Sequence, residues 1–498
     1  MQLTGDREHR AHLRLATAPG RWTLAAAVLS SGAVFLESTV VTVALPALGR
    51  DLGLGFDGIQ WVLNSYLLTL SALMLLGGSL GDLFGHRLVL AVGLIGFTGS
   101  SAVAALAPNA HLLIAVRLLQ GAAGAILVPN TLALLSALFE EDERDAAIGR
   151  WAAWSAVSTA LGPLVGGWLV DAFSWRWVFA IPAPFGLLAL WITLRRVPAD
   201  PPRHAAARRV DVVGAIVATL GLAALTWALI AAARRGLTDP LVVTASIIGV
   251  ALLGTFIVHE RRARNPMLPL VIFRSRQFSG ANAVTLLAYA ALGGLFFLLM
   301  LQLQNVMGYR ALRAGAALLP INGLMLALSS PAGRVSQRIG PRWPIGIGAM
   351  VAALGMLLLA RVQPGTSYVG AVLPGLLVFG LGLAALVAPL TAAVLGAVSD
   401  EQGGIASGVN NAVARLAGLL ATAALPLAAG LGPAAAETEA AFGAGYARAM
   451  RLAAGLCAAG AVLAVLTIRR GAAVAPTLHP NPQHGCVGRS FARPHSNR

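Results

Sequence analysis

GSLGDLFGHR at residues 78–87 returns as GRVSQRIGPR at 333–342, with glycine at positions 1 and 8 and arginine at position 10 of each. Each stretch separates two long apolar runs. Copies 255 residues apart imply two homologous halves, and such internal duplication is a mark of secondary transporters.

The chain has 498 residues, of which 57% are hydrophobic and 11% charged, where a soluble protein carries roughly a quarter charged residues. Runs of about 20 apolar residues, enough to cross a bilayer, begin near Trp22. They fall near 22–45, 59–80, 88–107, 111–138, 149–170, 176–195, 211–232, 240–259, 280–304, 314–332, 343–362, 367–397, 404–431 and 448–468. The expectation is an all-α polytopic membrane protein with fourteen transmembrane helices. The repeat divides it into a cytoplasmic tail (1–21), a six-helix bundle (22–195), a linker with two extra helices (196–277), a second bundle (278–468) and a disordered cytoplasmic tail (469–498). The first apolar run follows a charged stretch but is too long for a signal core and has no small-x-small site, so it reads as an uncleaved helix. The segment 260–278 mixes arginines with Leu268, Leu270, Val271, Ile272 and Phe273. A surface-lying segment and a solvated loop both fit it.

All 36 basic residues are arginine, and the net charge is +16. With the N-terminus inside, 25 arginines fall on the inner side and nine on the outer, with Arg117 and Arg415 inside helices. That bias places both termini in the cytoplasm and assigns the positive charge to anionic lipid, with no nucleic acid required. A chain without lysine has no Walker A phosphate loop and no Schiff-base lysine. Two cysteines, Cys457 and Cys486, suggest neither a disulfide framework nor a metal site. The histidines lie in loops, tails or span ends and the spans hold no paired carboxylates, which argues against a membrane enzyme.

Of twenty acidic residues, Glu37 alone lies deep in a span, within VFLESTVVTVALP (34–46). Inserting such a group costs about 2.5–3.5 kcal/mol, so the default reading is functional. A buried carboxyl can hold its proton at neutral pH and release it when a guanidinium or a cationic ligand approaches. Glu37 is therefore the expected proton carrier and Arg117 its tuning partner; arginine itself stays protonated. The competing reading is a structural pair that joins helices 1 and 4. Gln120, Gly121 and Gly124 share a helix face with Arg117. Gly162, Pro163, Gly166 and Gly167 give helix 5 a flat packing face and a freed carbonyl. Asp82, in the first copy of the repeated turn, could cap a helix N-terminus in one conformation only. Gly78, Gly85 and Arg87 complete that turn. Asn64, Tyr66, Asn130, Gln302, Gln304, Asn322, Asn410 and Asn411 are candidate cavity polars, each equally readable as an interhelical hydrogen bond.

Together these residues resemble the major facilitator superfamily, in its fourteen-helix EmrB/QacA-type drug:proton antiporter branch. LESTVVTVALP resembles the helix 1 signature, with Glu37 where aspartate is usual, and GSLGDLFGHR the gating motif. RLLQGAAGA (117–125) and ALGPLVGGWL (160–169) resemble the helix 4 and antiporter motifs, and WRWVFAIPAP (175–184) the entry to helix 6. Leu83 and His86 depart from the gating pattern, Gln337 replaces the acid in its echo, and Pro182 replaces a common asparagine. The resemblance implies alternating-access efflux of a small amphipathic compound from the cytoplasmic membrane. It also implies that the protein acts as a monomer, without a cofactor, on proton motive force. Asp82 and Arg87 would latch the cytoplasmic side. Some relatives hold cations with an acid in the second bundle; none is found here, which speaks against dicationic drugs. A proton symporter importing a metabolite is the alternative.

Overall fold

A computed structural model describes residues 13–198, 210–399, 402–432 and 438–469. Fourteen helices are long and apolar enough to cross a membrane. They are α1 (Ala18–Asp51), α2 (Phe56–Phe84), α3 (His86–Ala105), α4 (Ala110–Leu138), α5 (Asp142–Ala172), α6 (Arg176–Arg196) and α7 (Val212–Arg235). The remainder are α8 (Pro240–Arg262), α9 (Arg276–Val306), α10 (Ala311–Ile339), α11 (Arg342–Leu359), α12 (Tyr368–Leu395), α13 (Gly403–Ala428) and α14 (Glu439–Thr467). No strand occurs among the described residues, only one isolated bridge between Leu13 and Phe139.

Most helices outrun their apolar cores, because a backbone leaving the hydrocarbon keeps its internal hydrogen bonds. α1 starts at Ala18 rather than near Trp22, since Thr17 accepts from the Gly20 amide at 3.3 Å and a proline occupies the first turn. Nor are residues 13–15 a loose tail. Leu13 pairs with the α4–α5 turn through Leu138 and Glu140, and the Arg14 guanidinium lies 2.8 Å from Glu140. The segment after α8 forms a short 3-10 turn, Leu270–Arg274, and Glu260 accepts from the Leu268 amide at 2.9 Å. Of the sequence-derived tails, 1–21 and 469–498, residues 1–12 and 470–498 lie outside the described residues.

Contacts repeat between the halves: α1 packs on α5 and α6 as α9 packs on α13 and α14, and α2 and α3 pack on α4 as α10 and α11 pack on α12. The repeated turns match in backbone as well as sequence. Gly85 has φ +90° and Gly340 has φ +84°, a region that only glycine enters at low cost. α7 lies against α2 and α13, with Leu222 beside Leu68, Ala72 and Leu419. α8 packs chiefly on α7 and exposes Leu241, Ile247, Ile248 and Val250, an apolar surface suited to lipid.

The bundles meet tightly on the face opposite the repeated turns. One apolar cluster there joins Leu45, Leu48, Phe56 and Phe179 to Phe297, Tyr309, Phe379 and Tyr446. On the face bearing the repeated turns the cores separate, one around Phe97 and Leu135, the other around Phe278 and Leu390. The molecule is thus closed on one face and parted on the other.

Candidate functional site

Glu37 and Arg117 meet. Their helices, α1 and α4, pack together, and Arg117 Nη1 donates to Glu37 Oε1 at 2.8 Å with both side chains fully buried. Nη1 also donates to Gln120 Oε1 at 2.7 Å, and Nε donates to the Val62 carbonyl at 3.3 Å. Gln120 passes the chain of bonds on to the Ser101 hydroxyl at 2.7 Å. The guanidinium lies 4.2 Å from the Tyr66 ring centroid and 5.6 Å from that of Phe179, two cation–π contacts in a desolvated place. Gly121 and Gly124 bring α2 close: a side chain at Gly121 would collide with the Tyr66 carbonyl. Among the described residues, Glu37 Oε2, Arg117 Nη2 and the Tyr66 hydroxyl are buried without a hydrogen-bond partner. The pair is therefore tight but not saturated, and Oε2 remains an atom that could carry a proton.

One residue further along α1, Ser38 and Thr39 face a different space. A cavity of about 510 Å³ lies between the bundles, walled by α1, α2, α5, α9, α10, α12 and α13. Its polar lining includes Ser38, Thr39, Thr42, Thr159, Tyr289, Asn322, Thr391, Asn410, Asn411 and Arg415, and its apolar lining includes Phe35, Leu67, Phe296 and Met300. Leu395 and Ser407, near the end of α12 and the start of α13, place its mouth on the parted face. Successive helix residues are turned by about 100°, so Glu37 faces α4 while Ser38 faces the cavity.

Among the sequence-derived cavity residues, Asn322, Asn410 and Asn411 line this space; Asn64, Tyr66, Asn130 and Gln302 do not. Those four are fully buried in helix contacts. Asn64 accepts from the Thr422 hydroxyl across the bundle interface. Asn130 donates to the Gly77 carbonyl at 2.8 Å, and His86 Nδ1 lies 2.8 Å from its Oδ1. Gln302 donates to the Val362 carbonyl at 3.1 Å, within the second bundle. In dry helix contacts Asn130 and Gln302 find backbone carbonyls and Asn64 a hydroxyl, while the Tyr66 ring lies against the Arg117 guanidinium. Gln304 joins the closed face by donating to the Val43 carbonyl at 2.9 Å.

The repeated turn stands on the parted face. Arg87 donates to the Thr193 and Leu194 carbonyls at 3.1 and 2.7 Å, bonding the end of α6. Asp82 Oδ1 lies 3.7 Å from His86 Nε2. Gly78 faces Pro129 of α4.

The α5 glycines divide their work. Side chains at Gly162 and Gly166 would press on Thr39 and Val40 of α1, whereas one at Gly167 would strike the Ala311 and Leu312 backbone of α10. Gly315 answers from α10, where a side chain would collide with the Pro163 carbonyl. Beside them, Asp171 caps the start of α10, accepting from Ala311 N at 3.1 Å and Leu312 N at 2.9 Å. A carboxylate cap on a helix N-terminus, the role expected of Asp82, is thus seen at Asp171 on the closed face. Sequence reading passed over Asp171. The available signal was its position in the last turn of α5, where a carboxylate opposes its own helix dipole and needs an outside partner.

Comparisons with known proteins agree with this architecture. The family profile described as Major Facilitator Superfamily matches residues 27–422. The puromycin resistance protein of Streptomyces alboniger is 37% identical over 412 residues, covering 82% of this chain and 81% of that protein. The tetracenomycin C resistance and export protein of Streptomyces glaucescens is 34% identical over 404 residues, covering 81% and 74%. The crystal structure of a bacterial homolog of the human lysosomal transporter Spinster, inward-facing and occupied, has a TM-score of 0.64 at 15% identity. It covers 91% of this chain and 98% of that one, a likeness of fold.

Proposed function

Since this chain belongs to the Major Facilitator Superfamily, and is a multi-pass membrane transporter rather than an enzyme, we propose that it exports an antibiotic-like amphipathic compound in exchange for protons. One observation carries the reading. The buried Glu37–Arg117 pair lies one helix position away from a cavity that is closed on one face and open on the other. The arginine bias supports a cytoplasmic open face with both termini inside, in a protein of the cytoplasmic membrane. Resistance and export proteins among the relatives support efflux as the direction.

Substrate enters the cavity from the cytoplasm while Glu37 is ionised against Arg117. The closed face then parts: the Gly167–Gly315 contact, the Asp171 cap and the Phe56–Phe297 contact separate, and the repeated turns close the opposite mouth. Once substrate has left, a proton on Glu37 Oε2 neutralises the carboxyl and weakens its hold on Arg117. That lets α1 shift against α4 and the empty carrier return. One proton exchanged for a neutral molecule moves one charge, worth about 2.3 kcal/mol per 100 mV. The carrier works as a monomer, with no cofactor and with proton motive force as its energy source.

The test uses inverted membrane vesicles energised with a proton gradient. Tetracenomycin C and puromycin are supplied outside and their accumulation followed. Gradient-dependent accumulation abolished by a protonophore is the expected result. Accumulation only when the gradient is reversed would establish the import alternative.

A further inference from the structure

Arg415 on α13 is the single charged side chain among the residues lining the cavity, and no described carboxylate lies within 4.0 Å of it. It is half-buried, and its recorded ring contact is with Phe35, 5.5 Å from the centroid and itself part of the cavity wall. A guanidinium in a membrane interior is costly unless paired, and Arg117 shows what pairing looks like in this protein. Arg415 instead shares one stripe of α13 with Ser407, Asn411 and Thr422, all facing the cavity. Gly418, one turn away, leaves room: a side chain there would meet nothing within 4 Å. Tyr289 and Asn322 add polar groups from α9 and α10.

We propose that Arg415 anchors the substrate, and that this cavity takes amphipathic molecules presenting a carboxylate, phenolate or carbonyl oxygen while rejecting permanent cations. The guanidinium offers several fixed donors to such an oxygen, with no acidic lining residue to receive a cation. Apolar rings then rest on Phe35, Phe296 and Met300. This inference deepens the export reading and rests on it for the word substrate, but equilibrium binding tests it with no proton gradient present.

Two xanthene dyes of similar size and opposite charge serve as probes, fluorescein and rhodamine 123. The purified full chain in lipid nanodiscs is titrated with each and binding is read by fluorescence anisotropy. Wild type is expected to bind fluorescein at least tenfold more tightly than rhodamine 123. Arg415→Gln loses at least tenfold in fluorescein affinity, Arg415→Glu reverses the order of the two dyes, and Arg415→Lys, which keeps the charge, retains the preference. Gly418→Leu fills the space and weakens fluorescein binding without altering charge. Equal binding of the two dyes, tighter binding of rhodamine 123, binding of neither, or an Arg415→Gln variant with unchanged fluorescein affinity would overturn the assignment. A failure here with gradient-driven antibiotic accumulation intact would leave the export reading standing and remove only the anchor.

Discussion

Two arginines lie deep in this protein, one in each bundle, and the structure treats them in opposite ways. Arg117 is sealed among α1, α2 and α4, bonded to Glu37 and Gln120 and stacked on Tyr66. Arg415 stands in the cavity wall with no such carboxylate among the described residues. The first bundle thus holds a carboxylate where a proton can be taken up and the second offers a charge to whatever enters. On the proposed reading, this separation lets one side chain change protonation while another holds a ligand. The two tasks meet through α1, whose Phe35 faces Arg415 while Glu37 faces Arg117.

The sharpest way to break this comparison is to remove each guanidinium in turn. Arg117→Met leaves Glu37 buried without its partner and is expected to cost about 3–5 kcal/mol. That loss would be read as a lower unfolding temperature of the purified protein. Adding Glu37→Gln recovers most of it, because no buried charge is then stranded. Arg415→Met is expected to cost no stability, since no paired group is abandoned. Equal losses from both single variants would erase the distinction.

A smaller effect is expected at the closed face, where Gly315→Ala puts a methyl group against the Pro163 carbonyl. The open-to-cytoplasm state should lose population by about tenfold, or about 1.4 kcal/mol. The readout is the alkylation rate of Ser407→Cys at the cavity mouth, in a background with Cys486→Ser. Asp171→Asn removes a carboxylate from the start of α10 and shifts the same rate in the same direction, by about two- to fivefold. This matches the roughly 0.3–1 kcal/mol of an exposed charge at a helix terminus. Neither variant should alter fluorescein affinity once corrected for that population.

The helix count, the repeat and the Glu37–Arg117 pair were legible in the sequence because each rests on a large penalty. Exposing an apolar run to water is costly, and so is burying a lone charge, so composition alone locates both. The repeated turn was legible because Gly85 and Gly340 both adopt positive φ. Asn64, Asn130 and Gln302 misled because hydropathy does not say which way an amide points. In these helices it turned to a neighbouring backbone carbonyl or a hydroxyl rather than to the cavity. Arg415 stood out as a deep base, but its role waited on knowing that the cavity lining holds no acid. Asp171 looked like an ordinary helix-end acid until α10 was seen to begin beside it.

Glu37 as the proton carrier is the proposal most directly open to test. In inverted vesicles bearing a proton gradient, tetracenomycin C is added and proton release is followed with a pH-sensitive dye, in wild type and in Glu37→Gln. Substrate-dependent release is expected in wild type and none in the variant, with substrate binding retained. A variant that still releases protons on adding substrate would contradict it, leaving Glu37 as a structural partner of Arg117 and the proton carried elsewhere.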